Sequence, residues 1–111
     1  MKDLPELYNS VTTKRPDLWV KSMGIVPVKL YYSETCFGWY WDDDSLQHLR
    51  HVNHRVASAL ILARWVDALP DKHALTKLVS DSWAVWTFST QPTVEGIRPT
   101  PLEALAAYYL S

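Results

Sequence analysis

The hydrophobic period of this chain changes at Asp42–Asp44. In the preceding stretch "CFGWYW" (36–41), side chains alternate as in a strand, with Phe37, Trp39 and Trp41 on one face and Gly38 and Tyr40 on the other. Downstream, Leu46, Leu49, Val52, Val56, Leu60, Ala63 and Val66 step by three and four until Pro70, which is the spacing of a helix and a stop. The spacing predicts one helix over 45–69, about 37 Å long. Asp44 is its expected N-cap, Gln47 completes a capping-box pattern, and Asp42 and Asp43 sit near the positive end of its dipole. Aromatics that end a strand and carboxylates that start a helix across it are a sufficient reason for "FGWYWDDD".

The other elements follow from similar grammar. Leu4, Leu7, Tyr8 and Val11 recur at helical spacing, and "PDLWVKSMG" (16–24) reads as a second helical piece anchored by Leu18, Trp19 and Met23 and stopped by Gly24. "IVPVKLYYS" (25–33) is a strand, with Pro27 marking an edge or irregular entry, and "SETC" turns it into the aromatic strand. "HALTKLV" and "WAVWTFST" form a second hairpin around Ser80, Asp81 and Ser82, and "STQPTVEGIRPT" (89–100) reads as a loop. Thr100 as N-cap, Pro101 at the first helical position and Glu103 three residues after the cap open a closing helix with a Leu102, Leu105, Ala106, Tyr109 stripe. The predicted order is α-β-β-α-β-β-α, a single α+β domain over residues 1–111: an antiparallel sheet packed by a long central helix and the two terminal ones.

Length and composition narrow the function. At 111 residues there is room for one core, and a hydrophobic fraction of 48% supplies enough apolar surface to offset the entropy of ordering. A net charge of -1 provides no broad field for a polyanion, which argues against nucleic acid as partner. Cys36 is the single cysteine, so an internal disulfide and a Cys-rich zinc site are excluded and a reducing, cytoplasmic location is expected. No leader-like or membrane-spanning apolar run is present, so no membrane partner is expected.

The stretch "WAVWTFST", a short loop and then "TPLEALAAYYL" resembles small phage proteins of the ABA sandwich type, as does "DLWVKSMG" leading into a strand. The resemblance spans most of the chain through short motifs. It implies an α+β sandwich of phage or prophage origin and brings no catalytic residues with it.

Candidate chemistry centres on "HLRHVNHR" (48–55). On a helix His48 and His51 are one turn apart, as are His51 and His54, so two imidazoles can share a metal ion. Two helical ligands are too few for a structural zinc site, and a solvated polar face with Arg50 and Arg55 is the favoured reading. Asp42, Asp43 and Asp44 are consecutive and point in different directions, which suits magnesium poorly. Cys36 lies in a predicted turn outside any nucleophile motif. Neither an enzyme nor a cofactor is expected.

Ile61 and Trp65, four residues apart, lie away from the main stripe of the long helix. Either a terminal helix packs on them or they form an exposed anchor, which a homodimer would bury. Six Trp and six Tyr look like more aromatic bulk than so small a core encloses, with Tyr31, Tyr40, Trp65, Trp83, Tyr108 and Tyr109 as the outward candidates. The favoured expectation is a non-catalytic accessory protein in the host cytoplasm. It would dock Tyr31, Tyr40, Arg50, His54, Arg55, Ile61, Trp65, Trp83 and Tyr108 on a host or defence-system protein and block it, as an anti-CRISPR inhibitor does. The alternatives are a small metal-dependent enzyme using His48/His51 or Asp42–Asp44, and a homodimeric nucleic-acid binder using Arg50, Arg55 and Arg64.

Overall fold

The structure, a computed structural model, describes residues 3–21, 28–42, 50–78, 81–88 and 93–111. It is an α+β fold in which a helix followed by a three-stranded antiparallel meander occurs twice, and a third helix closes the chain. Helix α1 spans Leu4–Lys14 and is followed by a single 3-10 turn, Pro16–Leu18. The first sheet has the order β1 (Lys29–Ser33), β2 (Gly38–Asp42), β3 (Arg50–Val52). Helix α2 spans His54–Asp67. The second sheet has the order β4 (His73–Leu78), β5 (Ser82–Thr87), β6 (Thr93–Arg98), and α3 spans Pro101–Leu110. Helix α3 packs against all three strands of the second sheet and against both other helices.

Each predicted hairpin therefore carries a third strand. Arg50, His51 and Val52, expected inside the long helix, pair with Trp41, Tyr40 and Trp39. The helix starts only after Asn53, whose side chain accepts from the Arg55 amide at 2.8 Å, so the single 45–69 helix is corrected to a shorter α2 capped by Asn53. Val52 satisfies both the helical and the strand pattern, and burial beside Trp39 decides for the strand. Residues 93–98, expected as loop, form β6 with a register shift opposite Trp83 and Val85. The second helical piece of the N-terminal region is also corrected: after the 3-10 turn the chain runs extended, with the Leu30 amide donating to the Val20 carbonyl and Lys21 bridging to Lys29. Met23, Gly24 and Pro27, with Asp43, Asp44, Gln47, His48 and Ser80, lie outside the described residues.

The buried face of α2 is the one that sequence spacing made secondary. Ala57, Ile61 and Trp65 are fully buried, whereas Val56 is 50% exposed and Val66 40%. Apolar residues ring this helix, so periodicity alone does not choose a face; the large indole does. Trp65 stacks on Tyr8 of α1 at 6.2 Å and meets Tyr109 of α3 edge-on at 6.4 Å, and its indole N–H donates to the Leu18 carbonyl at 3.2 Å. The expectation that a terminal helix packs on Ile61 and Trp65 holds for both terminal helices. Placing these two residues, and Tyr109, at a partner or homodimer interface is corrected, because all three belong to the core of one chain.

Tyr8 organises that core. Its ring lies within 5.3 Å of Trp19, 5.5 Å of Trp39 and 6.2 Å of Trp65, each such pair adding about 0.5–1.5 kcal/mol beyond area burial. Its hydroxyl donates to the Leu30 carbonyl at 2.8 Å and accepts from the Val20 amide at 3.1 Å. One phenol thus ties α1 to β1 and to the segment between them, and burial pushes its pKa far above the ordinary value, only partly opposed by the Val20 amide.

All three helices run parallel. Leu4 and Leu7 at the start of α1, His54 and Ser58 at the start of α2, and Thr100 to Glu103 at the start of α3 surround one hollow. At the other pole the Lys14 ammonium donates to the Leu110 carbonyl at 2.8 Å, and the Arg64 guanidinium to the Asp17 carbonyl at 2.6 Å. The negative end of α3 is thereby met by a cation.

Candidate functional site

The pole at which the three helices begin holds a cleft made of three adjoining hollows that share Asp3. The apolar one, about 350 Å³, is walled by Leu4 and Leu7 of α1, Ala59 and Leu62 of α2, and Pro101 and Leu102 of α3. Its rim carries His54, Ser58, Thr100 and Glu103. A second hollow, about 360 Å³, lies between α1 and the first sheet, against Tyr32, Gly38, Trp39, His51 and His54. The third is a wide groove along α1, lined by Glu6, Asn9, Ser10 and Thr13, and it ends at Tyr32, Glu34 and Phe37 of the β1–β2 turn.

Local sequence explains how these groups are held. Asp3 caps α1 through the Glu6 amide at 3.0 Å. The Thr100 hydroxyl accepts from the Glu103 amide at 3.2 Å and donates to the Glu103 carboxylate at 3.0 Å, so that predicted cap forms. The Trp39 indole N–H donates to Nδ1 of His54 at 3.2 Å. Because an indole nitrogen is a donor only, Nδ1 supplies the lone pair and the ring proton sits on Nε2. A Cβ at Gly38 would come within 3.2 Å of the His51 ring and 3.3 Å of the Tyr40 ring, contacts that those side chains would have to shift to relieve.

Phe37 is the conspicuous residue. It is 83% exposed and has a φ of 50°, the left-handed region in which a non-glycine side chain costs about 1–2 kcal/mol. Folding alone gains little from an aromatic ring held in water on a strained backbone. At this turn the Cys36 amide donates to the Ser33 hydroxyl at 3.2 Å, which fixes the loop that carries the ring.

The residues expected to form one partner surface are distributed over several. Tyr31, Tyr40 and His51 are brought together on the outer face of the first sheet, as cross-strand neighbours with ring centroids 6.0 Å and 5.3 Å apart. These rings are tilted by 38° and 74° and make no flat platform. His54 enters the cleft and Arg55 is exposed beside it. Trp83 lies far along the chain in β5 with Lys77 over its ring at 5.9 Å, and Tyr108 packs on His73 at 5.6 Å. Arg50 belongs to β3, and its side chain is not among those described.

The alternatives fare as follows. His51 is in a strand and His54 begins a helix, so the one-turn spacing assumed for a shared metal does not exist. Among the described residues no group of three His, Cys, Asp or Glu is placed to hold a metal ion. Asp42 ends β2, while Asp43, Asp44 and His48 lie outside the described residues. Arg55 and Arg64 stand nine positions apart on α2, about 13 Å along its axis, and Arg64 is committed to Asp17, so they make no joint patch. The Ser58 hydroxyl donates to the His54 carbonyl at 3.0 Å and is not poised as a nucleophile. No helix among the described residues is long and apolar enough to cross a membrane.

Sequence reasoning missed the cleft's main residues, Asp3, Glu6, Glu34, Phe37, Ala59 and Leu62. Each looks like a cap, a turn or a helix surface in its own segment, and only the parallel arrangement collects them. No protein-family model, curated protein or solved structure matches this chain.

Proposed function

We propose that this chain is a non-catalytic binding protein that docks a segment of a partner polypeptide in the cleft at the common start of its helices. The observation that carries the reading is a preformed apolar hollow adjoined by two others that are lined by Phe37, an exposed ring held at positive φ. Hollows of this size, lined by aliphatic side chains with a few polar groups at the rim, are where proteins take up ligands, and backbone strain concentrates at functional positions. Blocking a host or defence-system protein by such contact is the finer form of the reading and rests on the phage-protein resemblance of the C-terminal stretch.

The test is selection of peptides from a displayed random library on the immobilised chain, followed by measurement of the winners on variants. Ala59→Arg places a long side chain in the hollow from an exposed helix position with good helix propensity. It should keep the melting temperature and weaken the selected peptides by at least about tenfold, roughly 1.4 kcal/mol. Equal binding to wild type and Ala59→Arg, or no enrichment at all, would sink the proposal.

Phe37→Gly separates binding from folding. Glycine relieves the positive φ but adds chain entropy of about 0.5–1 kcal/mol, so stability should stay within about 1 kcal/mol of wild type while peptide affinity falls. A large loss of stability in urea titration would show instead that Phe37 belongs to the fold.

A further inference from the structure

We infer that the segment taken up by this cleft is basic, carrying Lys or Arg around an aliphatic anchor residue. This inference rests on the binding reading above and adds the chemistry of the partner. Four carboxylates, Asp3, Glu6, Glu34 and Glu103, line the three adjoining hollows, and no Lys or Arg does so among the described residues. Asp3 caps α1 through one oxygen and Glu103 accepts the Thr100 hydroxyl through one, and Glu6 and Glu34 are outside every ion pair among the described residues.

The helix dipoles do not cancel this charge. Each helix start is equivalent to roughly +0.5 elementary charge, so three starts offset about 1.5 of the four negative charges, and the exposed Arg55 beside His54 offsets about one more. The remaining field is negative, sits in a concave surface where it is focused, and borders an apolar hollow that excludes charge. A cationic side chain lying in the groove along α1 meets Glu6 and Glu34 while an aliphatic one enters between Leu7, Leu62 and Leu102. Anionic partners, nucleic acid included, are repelled from the same place.

The experiment uses the full chain and three fluorescein-labelled nonapeptides read by anisotropy: a central leucine flanked by arginine and lysine, the same peptide with a central glycine, and a leucine peptide flanked by glutamate. A single-stranded oligonucleotide serves as the polyanion control. The basic leucine peptide should bind, lose at least about tenfold in affinity between low salt and ~0.5 M salt, and lose a similar factor when leucine becomes glycine. The exposed double variant Glu6→Gln/Glu34→Gln should melt like wild type and bind it about tenfold more weakly. Equal or tighter binding of the acidic peptide or the oligonucleotide overturns the inference, as does unchanged affinity for the double variant. Its failure is distinct from failure of the cleft itself: library peptides that need Ala59 but show no excess of Lys and Arg remove the basic partner and leave the site.

Discussion

Trp65→Ala should leave this protein without enough stability to fold cooperatively at ordinary temperatures. The side chain is fully buried, and truncating a buried aromatic costs about 3–5 kcal/mol. The lost indole N–H also leaves the Leu18 carbonyl without its partner, a further cost of about 1–3 kcal/mol. Against a total stability of about 5–15 kcal/mol for a domain of this size, a loss of about 4–8 kcal/mol consumes all of it at the low end of that range, and any surviving folded fraction should melt at least about 15 °C lower. Val56→Asp, on the face that the hydrophobic period favours, should change stability by no more than about 1 kcal/mol because Val56 is half exposed. Denaturant titration of both variants decides which face of α2 is the core. If the Val56 variant unfolds and the Trp65 variant does not, the packing described above is wrong.

The second large effect is alkaline unfolding. Burial raises the Tyr8 pKa far above the ordinary 10 of a free phenol, and burial with the neighbouring Tyr108 pushes Tyr109 up to about 12. Both phenols hold their protons more tightly in the folded chain than in the unfolded one. Their contribution is therefore fully present below pH 10 and is lost as pH rises from 10 toward the folded values. In that window each phenol that stays protonated only in the folded state lowers stability by about 1.4 kcal/mol per pH unit. Stability should be level from pH 8 to about 9.5 and fall steeply above 10. Tyr8→Phe should cost stability at neutral pH, since the Leu30 and Val20 backbone groups lose their shared partner, and should flatten the alkaline slope. A stability that does not change between about pH 9 and 11 would show that these phenols reach water.

Much of the fold is legible locally. The Leu7, Tyr8, Val11 stripe, the turn at "SETC", the strand alternation around Trp39 and the Thr100–Pro101–Glu103 helix start each involve residues within one turn or one hairpin, and each appears where the pattern places it. The third strand of each sheet is not legible. "RHV" and "TVEGIR" are short, polar and, in the second case, interrupted by Gly96, as edge strands commonly are. Their pairing is decided by partners elsewhere, Trp39–Trp41 and Trp83–Thr87. Asp3, Leu62 and Leu102 line one hollow from three separate helices, a juxtaposition made by long-range packing that no local pattern records. Of the rings expected outward, Trp65 and Tyr109 are enclosed and Tyr31, Tyr40, Trp83 and Tyr108 are half-buried, whereas the exposed aromatics among the described residues are Phe88 and Phe37, the latter in the turn and not on the strand face of Trp39 where the alternation places it.

The parallel helices also give the molecule an electrical polarity that its overall charge of -1 conceals. Asp3, Glu6, Glu34 and Glu103 gather at the starting pole with Arg55, while Lys14, Arg15 and Arg64 stand at the finishing one, where Arg15 is paired with Asp17 and Asp67 ends α2. The length of α1 keeps the two ends about 16 Å apart, roughly twice the distance over which physiological salt extinguishes a field. For the basic segment proposed above, this polarity turns the protein's starting pole toward the approaching cation before contact. Salt should consequently slow capture more than it hastens escape.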